Sequence, residues 1–598
     1  MLTLGGFLIL AASLTCAAKD FDRAHANQKC RCRPHQPCWP SRDAWQAFNS
    51  SIDGNLVAVQ PVAHACHGAN YDTAACNAAL NRSTDSLWRA SEPGALQWVN
   101  WEAWPEQNQS CYFDTARTVP CRHGRLSLWS AVVHKPEHIQ TAVRFATQYN
   151  IRIAIKNSGH CFLGRSAAPE SLQISTNRLK DMTFSGKFVP AGANLSHHGA
   201  VSAVTIGAGV SLKELYTAAG SRNMTLVAGL AHTVGAAGGY IQGGGHSPLG
   251  NWKGMASDQA LEFRVVDAKG NLIIANDYQN KSLFWALRGG GGGTFGVVVS
   301  VTVKTFSNVP APYAFFNFAA FRNDSAALGK MVNGFNTHLP AISDVGGSGY
   351  FFIRTKTGEQ NDTQHVYVSG ALIFANQPRV DEAKRVLDAM AADVGQYALP
   401  WSMYNISMAP RVSDWILGVL PGPSDETGNK ALLGSRLVSR EFLASNDGPG
   451  RLTSALQSIQ RQTGDIIFTG LLVGGGAVNT NQVDSALNPA WRKTLLHITF
   501  GMGWNSNMTL VEQKKLQRLV TGTLVEELKA LEPHMGAYLN EANAYEASWQ
   551  ESFWGCNYPR LYQIKQQVDP DGIFIVRRGV GSEDWSWAKG GFCRLVSR

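Results

Sequence analysis

The chain predicts an α+β protein in two main parts, and three observations point there. Short apolar-alternating runs and short stretches of helical spacing are intermixed between residues 121 and 308. Three glycine-rich loops interrupt them. From about residue 309 the glycine loops thin out and longer strands alternate with helices. At 598 residues the chain is too long for one ordinary core. With 44% hydrophobic and 10% aromatic residues it can bury a large interior.

Residues 1–18 carry no charged side chain. Their apolar stretch from Leu2 to Leu14 ends in Thr15-Cys16-Ala17-Ala18, followed by Lys19-Asp20. This reads as a secretory signal peptide cleaved near Ala18; as a membrane anchor the stretch is short for a span. Residues 19–120 form a cysteine-rich N-terminal extension, with Trp39, Trp45, Trp88, Trp98, Trp101 and Trp104 as packing anchors. Of the 11 cysteines, seven lie between Cys30 and Cys121. Such crowding in an oxidising compartment predicts disulfides. A zinc site is the competing reading, but Cys30-x-Cys32 lacks the two-residue spacing and no paired histidines follow; no metal is expected. If Cys161 is a free thiol, parity forbids the nine other cysteines left after cleavage from all pairing.

Asn-x-Ser/Thr sequons at Asn49, Asn81, Asn108, Asn194, Asn223, Asn280, Asn323, Asn361, Asn405 and Asn507 add the expectation of N-linked glycans. The net charge of +9 is small for this length and no Lys/Arg-rich run occurs, which disfavours a nucleic-acid partner.

In residues 121–308, a helix is expected over Pro136 to Tyr149, a strand over Ile151 to Ile155, another over Val204 to Val210, a helix over Leu212 to Ala219, a hairpin over Leu261 to Val266 and Leu272 to Ala275, and a strand over Val297 to Val303. In residues 309–532, strands are expected at Gly349 to Arg354, His365 to Phe374, Ile466 to Val473 and Leu496 to Gly503. Helices are expected at Val380 to Ala391 and Val511 to Leu531. Residues 533–598 resemble neither part in composition.

The three loops carry the chemistry. Lys156-Asn157-Ser158-Gly159-His160-Cys161-Phe162-Leu163-Gly164-Arg165 hangs off a strand end and presents His160 among small residues. A lone histidine is more often structural than functional. The second loop, Ala228 to His246, holds seven glycines beyond Ala228, and the third has five in a row from Gly289 to Gly293, then Thr294-Phe295-Gly296. Main-chain N–H groups free of side chains make concave anion sites that suit a pyrophosphate. No loop fits the Walker pattern, and no GxGxxG lies between a strand and a helix with an acidic residue after it, which disfavours a Rossmann site.

These loops, together with Trp252 to Asp258, Phe284-Trp285-Ala286-Leu287-Arg288 and Gly555-Cys556-Asn557-Tyr558-Pro559-Arg560-Leu561, resemble the berberine bridge enzyme-like flavoproteins of the vanillyl-alcohol oxidase/p-cresol methylhydroxylase superfamily. The cysteine-rich start and the ending Gly579 to Trp585 look more narrowly like secreted fungal isoamyl alcohol oxidase-like and secondary-metabolite oxidases. The resemblance implies a two-part FAD-binding domain over 121–308, completed by a berberine-bridge-type segment over 533–598, and an α+β substrate-binding domain with an antiparallel sheet over 309–532.

It further implies covalent FAD, bonded through its 8α-methyl group to His160 alone, because Ala231 stands where doubly linked members carry a cysteine. The implied cofactor-binding residues are Lys156, Asn157, Ser158, Gly159, His160, Cys161, Gly164 and Arg165 of the first loop. From the second come Gly229, Thr233, Val234, Gly235, Gly238, Gly239, Gly243, Gly244, Gly245 and His246, and beyond it Asp258, Gly296, Val297 and Asn557. Near the segment Tyr538-Leu539-Asn540-Glu541, Glu541 is the expected base, with a carboxyl pKa raised by a dry pocket, and Tyr538 the alternative.

The resulting expectation is a secreted oxidase. It takes hydride from a small alcohol or natural-product intermediate, and O2 reoxidises the flavin with release of H2O2. A carbohydrate oxidase, a flavin-dependent cyclase or coupling enzyme, and a non-catalytic glycoprotein that retains FAD are the alternatives.

Overall fold

The computed structural model describes residues 29–194, 200–355, 365–375, 380–420, 422, 424–588 and 591–595. The expected signal peptide and the sequon at Asn361 lie outside them. The fold is α+β, as expected.

Two sheets build the first part. A four-stranded sheet runs in the order Leu56–Ala58, Trp129–Val132, Ser171–Ser175, Arg152–Lys156; the last three strands are parallel and the first pairs antiparallel. Helix Pro136–Gln148 supplies the crossover, with Pro136 at its first position, where no N–H is needed. It buries Ile139, Ala142, Val143 and Ala146 against this sheet. A five-stranded antiparallel sheet follows in the order Leu272–Asn276, Ala260–Val266, Val297–Lys304, Val201–Gly207, Met182–Phe188. Helix Leu212–Gly220 starts on a reciprocal Ser211/Glu214 capping box.

The cysteine-rich segment is woven into this part rather than appended to it. Its strand Leu56–Ala58 extends the four-stranded sheet, and its helix Arg42–Ser51 stacks Phe48 on Phe145 with ring centroids 4.4 Å apart. Three disulfides are local: Cys32–Cys38, Cys66–Cys76 and Cys111–Cys121. The fourth joins Cys30 to Cys593, where strands Lys29–Cys30 and Gly591–Arg594 pair. Among the described residues two thiols, Cys161 and Cys556, are free, which accounts for the parity.

The second part is a seven-stranded antiparallel sheet in the spatial order Met403–Ala409, Ala311–Phe321, His365–Phe374, Gly347–Arg354, Ile467–Leu472, Thr494–Met502, Leu432–Ser439. Helices Ser325–Asp344, Val380–Gly395 and Gly448–Thr463 cover one face. The opposite face, at the Leu432–Ser439 end, turns Tyr350, Leu433, Thr469, Leu471 and Thr499 toward the glycine loops. The helix expected over Val511 to Leu531 is present as Leu510–Leu519 and Val525–Lys529 joined by a π turn at Val520–Leu524. Among the described residues no helix is long and apolar enough to cross a membrane.

Candidate functional site

The loops and the sheet enclose a cavity of about 550 Å³. Strand Arg152–Lys156 delivers the first loop to its wall. The cysteine-rich segment then fixes that loop from behind: Gln97 donates from its main chain to Gly159 O (3.2 Å) and from its side chain to Ser158 O (2.9 Å). Trp98 Nε1 donates to His160 O (3.0 Å) and Trp101 Nε1 to Phe162 O (2.9 Å). Gly159 sits at φ +82°, a conformation open to glycine at no steric cost.

Asn157, Ser158, Gly159, His160, Cys161 and Arg165 all line the cavity. Cys161 Sγ accepts from Arg165 Nε at 3.1 Å, and Arg165 Nη2 donates to Asn540 Oδ1 at 3.0 Å. Of the second loop, Gly229, Val234, Gly235, Gly238, Gly239 and His246 reach the cavity. A side chain at Gly235 or Gly238 would collide with the Asn157 amide at 2.6 or 2.8 Å, whereas at Gly239 it would project into open space. Gly292, Gly293 and Gly296 of the third loop complete this side.

Nine of the expected cofactor residues lie elsewhere, among them Thr233, which stands between His160 and Asp425 rather than on the cavity wall. Lys156 is buried behind its loop, where Nζ donates to the carbonyls of Arg89, Ala90 and Glu92 at 2.8–3.1 Å. Asp258 clamps Arg492 with two bonds of 2.9 and 2.7 Å, and Asn557 donates to the Leu487 carbonyl at 2.8 Å. Gly164, Gly243, Gly244 and Gly245 admit Trp101, Asn540, Leu487 and Tyr240 at contact distances that a Cβ would block. Val297 opens its strand pointing away; Val298 is the residue that faces in.

Glu541 stands at the far wall, its side chain 27% exposed to the cavity. Its Oε1 is 3.0 Å from His246 Nε2 and its Oε2 3.1 Å from His497 Nε2. Tyr350, also lining the cavity, places its hydroxyl 3.1 Å from His246 Nδ1. Burial pushes the Glu541 carboxyl up, but the attraction and hydrogen bonds of the two imidazoles more than reverse it and hold it well below the usual carboxylate range. This corrects the expectation of a raised carboxyl.

An ionised Glu541 accepts from His246 Nε2–H, which leaves His246 Nδ1 to accept from the Tyr350 hydroxyl. Burial and the Glu541 charge push the Tyr350 phenol well above its ordinary value, so it stays protonated. Tyr538 is 1% exposed, receives Asn540 Nδ2 at 2.8 Å, and is likewise pushed up by burial and then by Glu541. It packs edge-on against His246 at 5.2 Å.

His160 faces the cavity with Nε2 2.6 Å from Thr233 Oγ1. Burial, opposed by Asp425 and reinforced by Lys156, brings its imidazole down to about 4, so the ring is neutral at physiological pH. Sequence reasoning took Trp98 only as a packing anchor and missed Tyr350, Asp425 and His497. Each comes from a segment with no glycine loop or motif of its own to mark it.

A family model described as "FAD binding domain" matches residues 130–276, and one described as "Berberine and berberine like" matches residues 537–581. A protein of Arthroderma benhamiae named "Uncharacterized FAD-linked oxidoreductase" is 44% identical over 589 residues, covering 98% of this chain and 99% of that one. The chain belongs to the berberine bridge enzyme-like FAD-linked oxidoreductases. This oxidoreductase is also 38% identical over 551 residues to the flavin-dependent oxygenase ucdF of Aspergillus ustus, covering 90% of this chain and 97% of that one. Two VAO-type flavoproteins of Myceliophthora thermophila superpose with TM-scores of 0.84 and 0.86 at 29% and 27% identity, each over 95% of this chain and 100% of the other.

The cavity of the oxidoreductase fits FAD. Gly239 leaves a cradle that a side chain would fill. Arg165 Nη1 and Gln242 Oε1, both on cavity-lining residues, are buried polar atoms with no partner among the described residues. A neutral imidazole stands at the wall.

Proposed function

We propose that this is a secreted oxidase of a small alcohol or natural-product intermediate that carries FAD bonded to His160. When bound, FAD supplies hydride acceptance and delivery of the electrons to O2, with H2O2 as the product. The main-chain N–H groups of Gly239, Gly292 and Gly293 are the groups that would hold the diphosphate. His160 would carry the only covalent link, because Ala231 offers no second nucleophile.

The observation that carries the chemical reading is the chain Tyr350–His246–Glu541. Its end group, the Tyr350 hydroxyl, faces the cavity. As that hydroxyl takes the substrate's O–H proton, its own proton passes to His246 Nδ1, and the Glu541 carboxylate stabilises the imidazolium that results. Glu541 thereby acts as the charge partner of the base rather than as the base itself, and Tyr538 holds the histidine's ring in place. Leu433, Leu471, Trp98 and Phe162 give the cavity an apolar wall, and Thr469 and Thr499 add two hydroxyls, a lining suited to a neutral, largely apolar alcohol.

Four disulfides among the described residues support an oxidising compartment. The described sequon asparagines other than Asn49 are all exposed, as glycan acceptors must be. The test is a peroxide assay across panels of alcohols and sugars with wild type, Tyr350→Phe and Glu541→Gln. The expected outcome is H2O2 from an apolar alcohol and a loss on the order of 10²-fold in kcat for each variant. Turnover without H2O2 would refute the oxidase reading, and unchanged kcat in both variants would refute the relay.

A further inference from the structure

We propose that Asp425, acting through Thr233, positions His160 for its bond to FAD and takes up the proton which that bond displaces. The inference rests on the covalent tie proposed above and deepens it. Asp425 reaches the second glycine loop from the segment that precedes strand Leu432–Ser439. Its carboxylate collects the main-chain N–H of His232 at 3.0 and 2.9 Å, the ring Nδ1 of His232 at 2.8 Å, the main-chain N–H of Thr233 at 3.2 Å and the Thr233 hydroxyl at 3.3 Å. From the other side the Asp425 main-chain N–H donates to Ser86 Oγ at 3.0 Å. No substrate-facing role accounts for a carboxylate so placed, since Asp425 does not line the cavity.

The hydrogen-bond directions follow from the donor inventory. An ionised carboxylate only accepts, so the Thr233 hydroxyl donates to Asp425 Oδ2 and offers its lone pair to His160 Nε2, 2.6 Å away. His160 Nε2 therefore carries the proton. Its Nδ1 keeps the free lone pair, and Nδ1 is the nucleophile. Burial of Asp425 favours protonation, but the main-chain and ring bonds from His232 outweigh it and keep the carboxyl below its ordinary value.

In the bond-forming reaction one C–H bond of the 8α carbon and the His160 Nε2–H bond are lost, and one C–N bond forms at Nδ1. The Nε2 proton leaves along Thr233 Oγ1 to Asp425. The two electrons released pass through the ring system to dioxygen, which takes the proton lost from the 8α carbon and the one handed on from Asp425 and departs as H2O2. Asp425 and Thr233 are positioning residues, because they act on the flavin only through His160.

Substitution separates this role from simple packing. In Asp425→Asn the amide oxygen can still receive the main-chain N–H groups and the Thr233 hydroxyl at the Oδ2 place, but a neutral amide cannot take up the proton that leaves His160 Nε2. Thr233→Val cuts the chain with little change in volume, and Thr233→Ser keeps it. The measurement is the acid-insoluble fraction of the total flavin in each purified, natively folded protein. The expected result is wild type and Thr233→Ser with nearly all flavin in the pellet. Asp425→Asn and Thr233→Val should retain FAD natively but lose it on precipitation, with covalent incorporation slowed on the order of 10²-fold.

A wild-type covalent fraction in Thr233→Val overturns the proposal, as does a failure of Thr233→Ser to rescue. Wild type with no acid-insoluble flavin would instead remove the tie to His160 itself, and the role proposed for Asp425 with it. Should Asp425→Asn not fold, the two threonine variants decide.

Discussion

Glu541 is the residue whose chemistry depends most on its neighbours. Its carboxyl is held below the usual range by His246 and His497, which are 295 and 44 residues away in sequence. That is why a sequence reading can single out Glu541 yet expect the opposite shift: burial was foreseeable, the two imidazoles were not. The sign of the linkage follows. A depressed folded-state pKa contributes stability above the unfolded value of about 4.3, and this contribution is lost as pH falls below it toward the folded value. Denaturation midpoints of wild type and Glu541→Gln measured between pH 7 and pH 3 should therefore converge as pH drops below about 4. A gap that stays constant across this range would show that the carboxylate carries no such contribution.

At the scale of elements, the strands and helices flanking the glycine loops were legible because each is short, apolar and bounded by glycine or proline. The strand expected over Val297 to Val303 is found as Val297–Lys304, and the helix expected over Pro136 to Tyr149 as Pro136–Gln148. Strand Ala311–Phe321 was not legible because Pro312 near its start reads as a strand breaker. Leu432–Ser439 escaped because Arg436, buried and paired with Glu546 at 2.8 Å, breaks its apolar pattern. The role of Lys156 was hidden for a similar reason. It looks like a phosphate ligand next to a glycine loop, yet it ties that loop to the turn at residues 89–92. Lys156→Met leaves three carbonyls without their donor, so a loss on the order of 3 kcal/mol in unfolding free energy is expected. Hydrogen exchange should show the accompanying loss of protection at residues 157–163; unchanged protection would mean that the Gln97, Trp98 and Trp101 bonds suffice alone.

For the molecule as a whole, the two ends of the described chain are locked together by Cys30–Cys593 across 563 residues of sequence. Closing so long a loop restricts the unfolded chain far more than Cys32–Cys38 does across six. The double variant Cys30→Ser/Cys593→Ser is expected to lose roughly 4 kcal/mol, and Cys32→Ser/Cys38→Ser distinctly less. Urea denaturation of both would check the order, and the reverse order would show that native-state contacts rather than chain entropy set the effect. The cysteine count pointed to disulfides, but spacing carries no information about a partner at the opposite end of the chain.

The cysteine-rich segment, the glycine loops and the seven-stranded sheet converge on one imidazole, and its bond to FAD is the central claim. Trypsin cuts after Lys156 and Arg165, so digestion of the holoprotein isolates residues 157–165 with His160 inside. Mass spectrometry of that peptide should show the mass of one FAD less two hydrogens, localised on His160. An unmodified 157–165 peptide from a protein whose flavin is recovered entirely in the acid supernatant would contradict the account.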